Sequence, residues 1–381
     1  HSFPTRRSSD LGNGSTGSSS NPTKYSLIVE SGYYNTISAV STTSNNNNIY
    51  VQGMATYGSD FDRISNDNSN LEVYYNIAGT NGGYVRSGST NVPFIKQTVK
   101  SGIIGEANNT PASGIYTGGL SGGTIYSPSE LIVEGGDIYN VNGGPLIDSS
   151  LSNNNVIFIN IKGGEVDNVF GGAALTETYG NRIISLTGGK VNGSVFGGSN
   201  GIEGTSNNVG TLSGNTFIYA GGSVEVGDTE RSEGFFGAEV GSIFGSGNGR
   251  SGYTGIGSVN NSRVIIDVDA SINGNVYGGG NFGSPVSKSG TTTIDIKMLG
   301  GEVSGSIYGG GNNNGAGSTS HLAYPTITVT GGTVDKSVYG GSRTNGIIYG
   351  DTNVNILSGT INENVYGGGE GGFTDVYNAG T

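Results

Sequence analysis

Between Val156 and Gly369 the apolar and polar positions follow one formula seven times. Each copy reads as an alternating apolar run, a Gly-Gly-like corner, a Val or Ile, a small polar turn, and a Val/Ile-aromatic pair ending in glycine. The aromatics are Phe170, Phe196, Phe244, Tyr277, Tyr308, Tyr339 and Tyr366, spaced 26, 48, 33, 31, 31 and 27 residues apart. Two residues before the corner stand Ile161, Leu186, Tyr219, Val268, Met298, Val329 and Ile356. Four residues before it stand Ile159, Ile184, Phe217, Ile266, Ile296, Ile327 and Val354. Both columns are apolar throughout, whereas the residues beside them are mixed. A period of two with one constant face predicts a strand with one side in a core.

After the corner the apolar column resumes at Val166, Val191, Val224, Ile272, Val303, Val334 and Ile361. Asn192-Gly193, Asn273-Gly274 and Ser304-Gly305 then read as turn formers, because Asn and Gly tolerate positive φ. A second short strand carries Val169, Val195, Ile243, Val276, Ile307, Val338 and Val365 beside the aromatics. The copies at Val156 and Val264 read as one residue tighter between strand and aromatic. Units that bury an apolar side only against their neighbours predict an all-β parallel β-helix, a β-solenoid with coils of about 26–33 residues. Irregular coil lengths favour the right-handed kind. A hairpin reading of each Gly-Gly, tiled as propeller blades, fits less well: blades take about 40 to 50 residues, more than most of these spacings.

Outside the regular region, residues 25–155 read as longer, irregular coils. "SLIVESGYYN" from Ser26 and "ELIVEGGDIYN" from Glu130 repeat the formula, with strand-like runs at Ile49–Val51, Leu71–Ile77 and Phe94–Val99 between them. Residues 1–24 are polar and of low complexity, a leader predicted to be disordered. Its opening "HSFPTRRSSDL" is similar to translated sequencing-adapter read-through and carries no fold information. The missing initiating Met, and the uncapped strand-like run Phe373–Thr381, predict a piece of a longer chain.

Composition narrows the chemistry. Of 381 residues 74 are Gly, 12% are charged, none is Cys, and the formal net charge is −12. So much Gly, Asn, Ser and β-branched residue predicts no long helix. The acidic balance, without Lys/Arg clusters, argues against nucleic acid or an anionic membrane surface as partner. No apolar stretch reaches the roughly 18 residues of a membrane-spanning helix. Only His1 and His321 are present, so His-dependent triads and zinc sites have little material, and His321 reads as a loop residue. "DVDASING" from Asp267 has alternating oxygen ligands but lacks the Gly and distal Glu of a calcium loop, so Asp267 and Asp269 read as outward strand residues. No cofactor or metal is expected.

Two places carry candidate chemistry. The insertion Val226–Gly241 contains Asp228, Glu230, Arg231 and Glu233 beside Phe235 and Phe236. Close carboxylates with an arginine suit acid-base work on a polysaccharide, although a charge run is more often a solvated loop. The second place is the column Tyr277, Tyr308, Tyr339 and Tyr366. Facing outward, these rings would form a platform for stacking sugars. Facing inward, they fill a core, and the Phe residues in the same column favour that. Thr326, Thr328 and Thr330 suggest an ice-binding ladder, yet the matching coils hold Asp295 with Lys297 and Asn353 with Asn355.

The units "GGKVNGSVFGG" at Gly188, "GGEVSGSIYGG" at Gly300 and "GGTVDKSVYGG" at Gly331 resemble the glycine-rich β-solenoid repeats of large secreted bacterial surface proteins. These are adhesin-like and autotransporter-passenger proteins with a pectin-lyase-like helix. The resemblance covers 156–381 well and 25–155 weakly. It implies a non-enzymatic stalk or adhesive surface, secreted or displayed on a bacterial cell, with glycans or surface proteins as partners. The alternative on the same scaffold is a polysaccharide lyase or glycoside hydrolase, which requires carboxylates and a basic residue from neighbouring coils to meet in one groove.

Overall fold

The computed structural model describes residues 95–104, 114–119, 124–125, 129–144, 150–151 and 156–371, with breaks at 174–176, 202–209, 229–238, 252–256, 287–289, 314 and 345. Before them it describes the short strands Thr23–Lys24, Ser26–Val29, Tyr33–Tyr34, Thr36–Val40, Asn48–Ile49 and Val51–Gln52. Every strand pairing is parallel, and no helix occurs among the described residues. One long sheet runs through Ser26–Val29, Ile95–Val99, Ser129–Val133, Ile157–Ile161, Arg182–Leu186, Leu212–Ala220, Val259–Ile266, Thr292–Met298, Ala323–Val329 and Asn353–Ile356 in that order. Strands on the two sides of a Gly-Gly corner do not pair with each other. Each pairs with its counterpart in the next unit, as Lys190–Val191 does with Glu225–Val226. A hairpin pairs antiparallel neighbours, so this pattern excludes it and leaves the β-solenoid. The run at Ile95–Val99 is itself a coil strand, paired with both Ser26–Val29 and Ser129–Val133. Leu71–Ile77 and Phe373–Thr381 lie outside the described residues.

The main core is one aliphatic cluster threading the stack. Its long-strand columns are Ile159, Ile184, Ile218, Val264, Ile296 and Ile327, and Ile161, Leu186, Ala220, Ile266, Met298 and Val329. Four of these six copies carry the residues expected, and in the seventh Val354 and Ile356 keep the register at the end of the described stack, where Ile356 is exposed. In the other two the register corrects the expectation: Phe217 and Tyr219 align with Arg263 and Ile265 on the opposite face, and Val268 lies beyond the strand, 45% exposed. The same shift makes Val226, not Val224, the partner of Val191, although Val224 is also buried. Two causes combine. In "FIYA" and "RVII" residues of both parities are apolar, so the period-two signal vanishes. These corners are also one residue longer, Ala220 to Val226 and Ile266 to Ile272 against Met298 to Val303. The copy at Val264 is therefore looser, not tighter. The copy at Val156 is tighter, and there Glu165–Phe170 is one unbroken strand.

The corner needs a left-handed residue at its second position. Gly164, Gly189, Gly222, Gly301, Gly332 and Gly359 all have φ between 60° and 95°. In the Val264 copy that place is taken by Asp269 at φ 64°, the only non-glycine with positive φ among the described residues. Asp269 is thus a corner residue and not an outward strand residue. Asp267 lies just past the strand, buried, and accepts hydrogen bonds from the Tyr219 hydroxyl (2.7 Å) and the Val268 amide (2.8 Å).

The small polar turn follows a different rule from the one expected. Gly274 and Gly305 do not have positive φ. A Cβ on Gly305 would lie 2.3 Å from Asn275 Oδ1 and 2.4 Å from Gly274 O, so close approach of the neighbouring coil demands glycine. On the opposite face of the long sheet Arg263 and Asp295 form a buried ion pair between adjacent coils, Arg263 Nε lying 2.7 Å from Asp295 Oδ2. Thr326 sits between Asp295 and Asn353, and Thr328 between Lys297 and Asn355, so no threonine ladder forms.

Candidate functional site: the aromatic ladder and the Arg343 cluster

Parallel pairing puts each aromatic directly over the next, and the strand spacing of about 4.8 Å sets the distance between rings. The seven rings stack with centroids 4.7–5.1 Å apart and planes within 10°. The aromatic ladder forms its own cluster, separate from the aliphatic core that holds the adjacent Val/Ile column. Both columns of the short strand are therefore buried, in two different cores. Phe170 through Tyr308 are inaccessible, Tyr339 is half-buried, and Tyr366 in the last described coil is 44% exposed. From Phe196 to Tyr339 each ring face is covered by another ring, which leaves the tyrosine edges and hydroxyls to meet anything else.

Two polar ladders flank this stack, neither anticipated as such. The residue before each Val/Ile-aromatic pair is Ser or Asn in all seven copies. Its side-chain oxygen accepts the backbone N–H of its counterpart in the next coil, from Asn168 through Ser194, Ser242, Asn275, Ser306 and Ser337 to Asn364, at 2.7–3.3 Å. Four residues after the aromatic stands a second column, Asn200, Asn248, Asn281 and Asn312, all buried. Each amide donates to the preceding Oδ1, at 3.2, 3.0 and 3.0 Å. Buried amides require such partners, and a stack of identical ones supplies them coil by coil.

In the next two coils this column changes to Arg343 and Glu370. Arg343 Nη1 still reaches Asn312 Oδ1 (3.4 Å), and its Nε lies 3.6 Å from Glu370 Oε2. The guanidinium also pairs with Glu239, which lies in the insertion and is its first described residue after the break at 229–238. Glu239 accepts hydrogen bonds from the Tyr277 hydroxyl (3.1 Å) and the Asn275 amide, while the Tyr308 hydroxyl donates to Glu370 (2.5 Å). The switch from Phe to Tyr along the ladder thus coincides with the appearance of carboxylate acceptors. Burial first, and then the Glu239 charge, pushes the Tyr277 phenol well above its usual range. Burial and the hydrogen bond to Glu370 do the same for Tyr308. Burial works against the Arg343 charge, but the facing Tyr277 and Glu239 outweigh it and hold the guanidinium charged. The phenols stay protonated donors, which makes them poor general bases.

Of the insertion residues singled out in the sequence, Asp228 lies 3.8 Å from Lys190 Nζ, and its amide donates to Asn192 O (2.9 Å). Glu230, Arg231 and Glu233, with Phe235 and Phe236, lie outside the described residues. The charged groups that do converge, Glu239, Arg343 and Glu370, were missed. The signal was present four residues after each aromatic, where "GGSN", "GSGN", "GGGN" and "GGGN" give way to "GGSR" and "GGGE". Among the described residues no group of three or more His, Cys, Asp or Glu is placed to hold a metal, and no helix is long and apolar enough to cross a membrane. His321 Nδ1 lies 3.1 Å from Gly290 O in a loop.

No protein-family model matches the chain, and no curated protein or solved structure matches it.

Proposed function

We propose that this chain is an adhesin-like structural solenoid, secreted or displayed on a bacterial surface, acting as a stalk or adhesive surface toward glycans or surface proteins. The observation that supports this reading is the use of the repeat columns. The aliphatic, aromatic, Ser/Asn and Asn columns are spent on joining one coil to the next, the economy of a rod built for length. A glycan would meet tyrosine hydroxyls, Asn amides and the Arg343 cluster edge-on, since the ring faces between Phe196 and Tyr339 are taken. Screening the full chain on a glycan array and on whole cells tests the reading. Saturable binding supports it, and its absence on both leaves a spacer without adhesive function.

One observation favours the alternative, a polysaccharide lyase or glycoside hydrolase: Glu239, Arg343 and Glu370 bring two carboxylates and a charged guanidinium together from separate coils. Against it, each of these groups is already engaged by the others, and the adjoining phenols hold their protons. Release of reducing ends or unsaturated sugars from a polysaccharide panel, lost in Glu239→Gln, would establish the enzyme.

A further inference from the structure

In a solenoid each coil touches only its neighbours, so opening of one coil is felt chiefly by the next. The Arg343 cluster departs from that rule. Arg343 follows Tyr339, yet it reaches the Tyr277 hydroxyl (3.4 Å) and Glu239 two or more coils back, while also pairing with Glu370 one coil on. Tyr308 likewise passes over the Tyr339 coil to reach Glu370. These contacts run along the axis, over the edge of the aromatic ladder. Arg343 stands where an asparagine would complete the ladder begun at Asn200, so a nearest-neighbour contact has been exchanged for a longer one. Low-charge chains have few such residues to place, and three from separate coils meet here.

We propose that Arg343 is a strap that makes the coils from Phe244 to Tyr366 open as one block. The strap couples the Tyr277 coil to the Tyr339 coil directly, and it does so whether or not the solenoid binds a partner. Its polar groups are spent on one another, so it resists pull along the axis and needs no ligand.

Hydrogen exchange on the full chain, wild type against Arg343→Gln, tests this. The decisive amides are Val276–Tyr277, two coils from Arg343, with Val195–Phe196 as the reference outside the strap. A partly exposed ion pair of this kind corresponds to about two- to fivefold in an opening equilibrium. The strap predicts that Arg343→Gln speeds exchange at Val276–Tyr277 and Val338–Tyr339 by about that factor and leaves Val195–Phe196 unchanged. Acceleration confined to Ser342–Thr344 and the Tyr339 coil overturns it, as does no change. If Arg343→Gln does not fold, Glu239→Gln carries the same test: it keeps the Arg343–Glu370 pair and removes the charge that ties Arg343 to the Tyr277 coil through Glu239, leaving only the long Arg343–Tyr277 contact. Faster exchange at both Val276–Tyr277 and Val338–Tyr339 in that variant supports the strap, and an unchanged pattern refutes it.

Discussion

The two sides of each coil are held by different means. On the short-strand side the aromatic, the Ser or Asn two residues before it, and the glycine after it keep one spacing in all seven copies. On the long-strand side the corner takes up an extra residue in two copies, and the opposite face of the strand ranges from Phe217 to Arg263 to Thr326. The difference is one of clearance. After the aromatic, a Cβ on Gly309 would lie 2.2 Å from Gly340 O, and the same glycine column is equally tight at Gly171, Gly197, Gly245 and Gly340. At the corner a Cβ on Gly164, Gly189, Gly222, Gly301, Gly332 or Gly359 would lie 2.5–3.0 Å from neighbouring backbone, crowded but less so, and a left-handed φ is demanded as well; Asp269 fills that place in one copy. The closer the backbones approach, the more firmly the column is fixed, and the slightly wider corner leaves room for length to vary.

The largest effect is expected for Gly309→Ala. Its Cβ would meet only backbone and Pro325, so the neighbouring coil must shift, at a cost of about 3 kcal/mol or more in chemical denaturation. Next comes Asn281→Ala, which leaves the buried Asn248 and Asn312 amides each short of a partner and lowers stability by about 2 kcal/mol. A smaller effect is expected for Tyr308→Phe, which keeps the stack and loses the Glu370 contact, about 1 kcal/mol. The same phenols give a pH dependence. Their folded pKa is raised above the ordinary value near 10, so the contribution is fully present below about pH 10 and is lost as pH rises beyond it. Phenolate absorbance should therefore show Tyr277 and Tyr308 ionising only as the fold opens. The smallest effect belongs to the corner, where Asp269→Gly relieves a left-handed non-glycine residue and raises stability by up to about 1 kcal/mol.

Most of the architecture was legible because the solenoid repeats its columns. Ile159, Ile184, Ile296 and Ile327 declare the core face by alternation alone. The reading slipped at Phe217–Tyr219 and Ile266–Val268, where both faces of the strand are apolar and the phase of the alternation is lost. The polar ladders were visible as recurring Ser and Asn, but the sequence does not show that Ser306 accepts the Ser337 amide until the coils are stacked. The candidate site was less legible still. Asp228, Glu230, Arg231 and Glu233 stand together in the chain, whereas Glu239, Arg343 and Glu370 meet only across coils, so local charge density pointed to the first group and gave no sign of the second.

The tyrosine ladder is internal structure, with its ring faces closed against each other. Tyr277→Ala in the full chain, followed by chemical denaturation and near-ultraviolet circular dichroism, tests it most directly. The predicted result is a loss of about 3–5 kcal/mol with collapse of the aromatic signal, the cost of emptying a packed aromatic site. Unchanged stability and an unchanged aromatic signal would place the ring outside the core and contradict the claim.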